Sequence, residues 1–280
     1  MGSTWFYISV FLELLATVGL VLFAFKQKKT LFWWSYWILS AGFVCHTVFW
    51  VYRYYLSSGA APVIHFKEAL SFFSWSIIGV YLVFQLKFRL KVLGSFVAPL
   101  ALFLMILSST MPWIEVPVKP VFRSLWLTIH IAVIFAGNGM LAIGFMAAVM
   151  YLIQEYHIKH KRMGAFFNRL PSLATLDTVN YYSVSYGFAF ITLGMVAGSV
   201  YAQQVLGAYW QWDPKEVWSL ITWLFYAALI HQRLAAGWQG RKAAVLSIIC
   251  FLILIFTFAG VSHLLGGYHS FRSLGLQEAL

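Results

Sequence analysis

The run Leu206-Gly207-Ala208-Tyr209-Trp210-Gln211-Trp212-Asp213-Pro214-Lys215-Glu216 stands between two long apolar stretches. Its indoles, phenol and helix-breaking or charged positions do not belong inside a hydrocarbon span. They suit a segment lying flat at a membrane surface. Tryptophan there keeps its ring in apolar surroundings and its N–H wet, and aromatic faces can receive a large flat ligand. The run continues through Val217, Trp218, Thr222 and Trp223 to Tyr226, His231 and Arg233. Eight histidines are available across the chain, and imidazole is the side chain best suited to bind a transition metal near neutral pH.

The elements that position these residues are membrane helices. The chain is 62% hydrophobic and 10% charged, which excludes an ordinary soluble domain. A span needs about 20 apolar residues. The sequence predicts an all-α integral membrane protein with about eight spans: Trp5–Phe25, Leu31–Val51, Glu68–Leu86, Val92–Met111, Leu125–Tyr151, Tyr182–Val205, Val217–Ile230 with its flanks, and Ala243–Leu265. Residues 1–280 read as a single polytopic domain with a Trp-rich segment at about 201–218. The first span begins close to Met1 and carries Glu13, without a basic leader or a small-residue cleavage pattern, so it reads as a retained helix.

Alternate loops differ in charge. One set holds 13 Lys and Arg residues, among them Lys26, Lys28, Lys29, Lys87, Arg89, Lys91, Lys159, Arg169 and Arg241; the other set holds 6, which are Arg53, Lys67, Lys119, Arg123, Lys215 and Arg272. The imbalance assigns the first set to the cytoplasm and puts both termini and the Trp-rich segment outside. The net charge of +11 is mostly this bias. It is scattered over short loops and does not form a nucleic-acid stripe.

That topology sorts the histidines. His130, near the outer mouth of the fifth span, and His269, beyond the last span, fall on the side of the Trp-rich segment. Two neutral imidazoles on opposite faces suffice for both axial positions of a haem iron. His231 follows Glu216 by 15 residues, roughly 22 Å down a helix, and so lies deep. An ionisable group at that depth is a functional candidate by default. Arg53, Arg123 and Lys215 are external cations suited to haem propionates. Cys45 and Cys250 both sit inside spans, and the chain has no C-x-x-C-H, so it has no haem-attachment site of its own.

The Trp-rich stretch resembles the signature of the haem-handling WWD proteins, and specifically the CcsA/ResC-type cytochrome c biogenesis family of System II. In that family it reads roughly W-G-x-Y-W-x-W-D-P-K-E-x-W-S-L-I-T-W. Leu170-Pro171-Ser172-Leu173 with Leu176-Asp177 is similar to the family's cytoplasmic approach to this span. The resemblance implies haem b held over a platform of Tyr209, Trp210, Trp212, Asp213 and Trp218, with His130 and His269 as external axial ligands. It implies an inner haem site at His231, whose second ligand comes from a separate CcsB/ResB-type membrane partner. The implied reaction joins haem vinyl groups to the thiols of an apocytochrome c on the outer face of a bacterial inner membrane or thylakoid-like membrane. The resemblance is best over Leu170–Phe271, with weaker echoes at Glu68 and His130. This chain departs from the family pattern at Tyr201, Gln204, Leu206 and His263.

Plainer readings stand beside these. His130 and His269 could each bond a loop or helix carbonyl, and His231 could be an interfacial histidine flanking Arg233. His46, the next candidate for an inner ligand, reads with His65 and His263 as a satisfied structural group; His157 and His160 read as solvated. Trp33, Trp34, Trp37 and Trp113 read as an interfacial belt. Asp213-Pro214 with Glu216 reads as a helix start, with Asp213 as N-cap and Pro214 in the first turn. Two alternatives also stand: a System I-like haem-handling protein of the CcmC or CcmF kind, and a non-catalytic haem exporter or assembly factor.

Overall fold

Hydrocarbon offers no hydrogen-bond partner, so a chain this apolar must satisfy its backbone inside helices or a closed barrel. The computed structural model describes residues 2–59, 61–63, 65–112, 122–161, 164 and 167–265, and among these it contains helices and no strand. Eight long helices follow in order: α1 Gly2–Lys26, α2 Lys29–Leu56, α3 Phe66–Phe88, α4 Gly94–Ser109, α5 Leu125–Lys159, α6 Leu173–Leu206, α7 Pro214–Ala235 and α8 Arg241–Ile255. Among the described residues, six stretches are long and apolar enough to cross a bilayer; α2 and α7, at 28 and 22 residues, are long enough but carry more polar and aromatic side chains. The chain is thus an all-α multi-pass membrane protein.

Two helices differ from expectation at their ends. α5 runs on past Tyr151 to Lys159, and α6 begins at Leu173 rather than near Tyr182. At 35 residues α5 is about 50 Å long, well beyond the roughly 30 Å hydrocarbon core. Along this extension Glu155 pairs with Lys159 at 2.8 Å and with Arg241 at 3.0 Å. α6 gains its early start from Ser172, whose Oγ caps the helix by accepting the Thr175 N–H at 3.2 Å.

Helices α1–α4 and α5–α8 form two neighbouring groups, joined where α3 and α4 pack on α5. The joint is aromatic. Phe135 of α5 lies 5.1 Å from Phe72 and 6.0 Å from Phe73, and Phe258 lies 5.2 Å from Phe73, all edge to face. The Ser76 hydroxyl donates to the Phe135 carbonyl across the same joint. α5 and α6 form the closest pair. A Cβ on Gly137 would stand 3.1 Å from the Gly187 carbonyl oxygen, and a Cβ on Gly187 would stand 3.1 Å from that of Gly137. Small residues at such crossings let membrane helices approach backbone to backbone.

The lysine- and arginine-rich loops gather at one end of the molecule, called here the basic end. Lys91 lies over the Phe32 ring at 5.2 Å, Lys87 over Tyr182 at 5.2 Å, and Arg169 donates to the Ala24 carbonyl at 3.5 Å. Arg233 anchors this end of α7. Its guanidinium donates to Asn180 Oδ1 at 3.1 Å and Asp177 Oδ2 at 2.8 Å, while Asp177 Oδ1 accepts the Gly240 N–H at 2.9 Å. Asn180 in turn donates to the Gly144 carbonyl at 2.9 Å and to Ser247 at 2.8 Å. One buried cluster therefore ties α5, α6, α7 and α8.

Removing one partner of a buried ion pair leaves the other charge uncompensated, at a cost of about 3–5 kcal/mol. Arg233→Ala is expected to lower the apparent Tm of the detergent-purified protein sharply. Arg241→Ala, which removes a guanidinium 62% exposed, should leave the Tm within error. Equal shifts for the two variants would contradict the anchoring role.

Candidate functional site

The site is built on the α5–α6 hairpin at the end opposite the basic loops. Ser124 caps α5, accepting the Leu127 N–H at 3.4 Å. Trp126 then donates its indole N–H to the Ala197 carbonyl at 2.8 Å. One turn further, His130 Nδ1 lies 2.7 Å from the Gly194 carbonyl oxygen. A carbonyl only accepts, so Nδ1 donates a proton in this bond. This is the arrangement in which a histidine is oriented by a backbone carbonyl to present its other nitrogen to a metal. The ring packs against Gly198, where a Cβ would come 2.6 Å from its Cε1. Only glycine leaves room for the imidazole. The plain reading of His130, a bond to a helix carbonyl, and the ligand reading use different nitrogens and are both compatible with this geometry.

α6 continues eight residues past Gly198 to Leu206, about 12 Å, and ends at Gly207 in the left-handed conformation with φ +77°. The chain then enters the Trp-rich segment. Glu216 holds this segment against α7: its Oε2 accepts the Gln211 N–H at 2.8 Å and the Asp213 N–H at 3.3 Å. Asp213 is the N-cap, accepting the Lys215 N–H at 2.8 Å, and is 5% exposed. Trp212, between these anchors, adopts φ +58°, which is rare for a bulky side chain and is sustained only where the surroundings impose it. Its indole is thrown outward, 78% exposed, beside Tyr209 at 62%. Trp210 stands edge-on to Trp212, ring centroids 5.9 Å apart. Asp213 thus shapes the segment from inside, while Tyr209 and Trp212 supply its outer surface.

The end of α8 closes behind this segment. From Phe256 to Val261 the helix widens into a π-turn, a feature often found at functional sites. The widening lets Phe256 pack on Trp218 at 4.7 Å and Thr257 bond Thr222 at 2.8 Å. Lys215 reaches across to donate to Ser262 Oγ at 2.9 Å. Enclosure there lowers the Lys215 ammonium from its usual range to about 8, with the nearby Asp213 carboxylate pulling the other way. Lys215 is therefore turned toward α8. Arg53 is paired with Glu68, and Arg123 is exposed at the foot of α5. His269 and the side chain of His263 lie outside the described residues, as do Trp113, Lys119 and Arg272.

The remaining histidines separate clearly. His231 sits on α7, exposed, two residues from the buried Arg233 and so on nearly the opposite face. The Arg233 anchor sets the rotation of α7 and with it the outward aspect of His231. His46 is fully buried in the α1–α4 group. Its Nδ1 lies 3.4 Å from Glu13 and its Nε2 2.8 Å from Ser71, and its ring stacks on Trp50 at 6.2 Å. With both nitrogens engaged, His46 is not placed to ligate iron. Neither the Gly198 seat of His130 nor the Trp212 backbone was found by sequence reasoning. The spacing Gly187-x6-Gly194-x3-Gly198 was the available signal for the first.

If Asp213 acts chiefly as a cap, Asp213→Ala should cost about 1 kcal/mol of stability and Asp213→Asn much less, read as apparent Tm in detergent. Equal losses would point instead to its charge beside Lys215.

A sequence model described as cytochrome C assembly protein matches residues 63–269, beginning well before the stretch where the resemblance is strongest. The cytochrome c biogenesis protein CcsA of Guillardia theta is 31% identical over 266 residues, covering 88% of each chain. The CcsA of Prochlorococcus marinus (strain MIT 9215) is 30% identical over 285 residues, covering 94% of this chain and 92% of its own. The solved cytochrome c haem lyase CcmF shares the fold over 100% of this chain with a TM-score of 0.63 at 16% identity; the chain spans about half, 51%, of that protein. The chain belongs to the cytochrome c assembly protein family, among relatives of the CcsA type.

Proposed function

We propose that this chain carries b-type haem across or along the membrane and presents it, on the side of the Trp-rich segment, for covalent attachment to apocytochrome c. The observation that carries this reading is His130: its Nδ1 is fixed by Gly194, its ring is seated on Gly198, and its helix partner α6 leads directly into the exposed Tyr209–Trp212 surface. A flat, apolar macrocycle with a central metal matches an oriented imidazole at the same end of the molecule as outward aromatic faces.

In this reading His130 and His269 supply the two axial nitrogens, and Tyr209, Trp210, Trp212 and Trp218 bear on the ring. Haem is the substrate. Each apocytochrome cysteine adds its S–H across one vinyl group: the sulfur bonds one vinyl carbon, the hydrogen goes to the other, and no electrons are exchanged overall. The chain's part is to position haem and to hold off competing ligands, which lowers the entropic barrier to the encounter. The substrate's own histidine replaces one axial ligand as the product leaves.

His231 serves an inner haem site in the same scheme. Its exposure on α7, away from the Arg233 cluster, suits a ligand pair completed by a second membrane chain of the CcsB/ResB type. The excess of Lys and Arg at the basic end supports a cytoplasmic position for that end, in a bacterial inner membrane or a thylakoid-like one. A System I-like role draws support only from the shared fold.

The purified protein with its partner should show a b-type pyridine haemochrome spectrum. Its absence from a folded preparation would refute haem carriage. His130→Ala and His269→Ala should each abolish holocytochrome formation while the protein still inserts, and added imidazole should partly restore it by refilling the vacated position. Normal holocytochrome levels in both would refute the axial pair. His231→Ala should deplete haem at the outer site as well, because supply is cut. Full loading in that variant would reduce His231 to an interfacial histidine.

A further inference from the structure

At the basic end, α2 carries a groove of about 320 Å3 lined by Lys29, Thr30, Trp33, Trp34 and Trp37, remote from the α5–α8 site. Trp34 and Trp37 are 67% and 62% exposed, so these indoles face the surroundings of the protein and not its core. Lys29 stands at the mouth. Lys91 reaches in from the turn before α4, its Nζ 5.5 Å from the Trp33 ring, and Lys26 and Lys28 are exposed alongside. Among the described residues, the carboxylates at this end are Glu155 and Asp177. Both are bound to Lys159, Arg241 or Arg233 on the other helix group. Among the described residues, the cations around the groove therefore have no acidic partner near them.

We infer that this groove binds one phospholipid with an anionic headgroup in the leaflet that the basic end meets. The headgroup phosphate sits between Lys29 and Lys91, and the upper acyl chain runs along Trp34 and Trp37. The distance fits: Trp37 lies eight residues below Lys29, about 12 Å deeper, where chain methylenes replace headgroups. The chemistry fits as well, since a strip of indoles below clustered lysines matches an acyl chain below a negative phosphate. A soluble anion would use the lysines and leave the indoles idle, and a zwitterionic lipid would use the indoles and leave the lysine charge unbalanced.

Native mass spectrometry of the detergent-purified protein, titrated with phosphatidylglycerol or phosphatidylcholine, tests this. Wild type should retain one phosphatidylglycerol in clear preference to phosphatidylcholine. Each lysine near the headgroup is worth about fivefold in affinity, so Lys29→Gln with Lys91→Gln should weaken phosphatidylglycerol about 25-fold. Lys159→Gln with Lys161→Gln makes the same change in net charge and should leave it unaltered. Trp34→Ala with Trp37→Ala should weaken both lipids. Three results would overturn the inference: equal retention of the two lipids by wild type, undiminished phosphatidylglycerol in the Lys29/Lys91 variant, or displacement of the lipid by millimolar inorganic phosphate.

Discussion

A Cβ where Gly137 meets Gly187 would press 3.1 Å from the facing carbonyl oxygen, and the rest of the site depends on that close approach of α5 and α6. With the two backbones this close, the carbonyls of α6 come within reach of side chains on α5. Ala197 then accepts from Trp126, and Gly194 from His130. The same closeness seats the imidazole on Gly198. A looser hairpin of leucines would pack as well in lipid but would leave His130 free to rotate, and an axial ligand must not. Packing, in a medium with no hydrophobic drive between helices, is here also the means of orienting a functional group.

Polar groups inside the bundle follow a second constraint. Each costs free energy in hydrocarbon unless it is met by a partner, so they occur in clusters that cross helix boundaries. Asp177, Asn180, Arg233 and Ser247 join three helices at the basic end. Glu13, His46 and Ser71 join another three in the first helix group. Thr222, Thr257, Lys215 and Ser262 fasten the π-turn of α8 to α7 just behind the Trp-rich segment. The first cluster determines which face of α7 turns outward, and so relates a structural arginine to the exposed histidine two residues away.

Much of this was legible in the chain. Hydropathy gave the order and number of the long helices, and the Asp213-Pro214-Lys215-Glu216 run gave a capped helix start, because both signals are local. The ends of α5 and α6 were not, since Gln154, Glu155 and His157, or Asp177 and Asn180, read as loop residues, and the partners some of them meet come from distant segments. His46 shows the limit from the other side. In sequence it reads first as a satisfied structural histidine, and only the fold names the partners: Glu13 and Ser71, from 33 and 25 residues away, meet its two nitrogens. The π-turn and the positive φ of Trp212 are products of tertiary packing on ordinary sequence.

The seating of His130 by Gly198 is tested most directly by electron paramagnetic resonance of the ferric, haem-loaded protein, comparing wild type with Gly198→Ala. The added Cβ falls 2.6 Å from the imidazole Cε1 and must displace the ring. The account predicts a low-spin signal in wild type and a high-spin component at the outer haem in Gly198→Ala, as one axial nitrogen is lost. A low-spin signal unchanged in both Gly198→Ala and His130→Ala would contradict it.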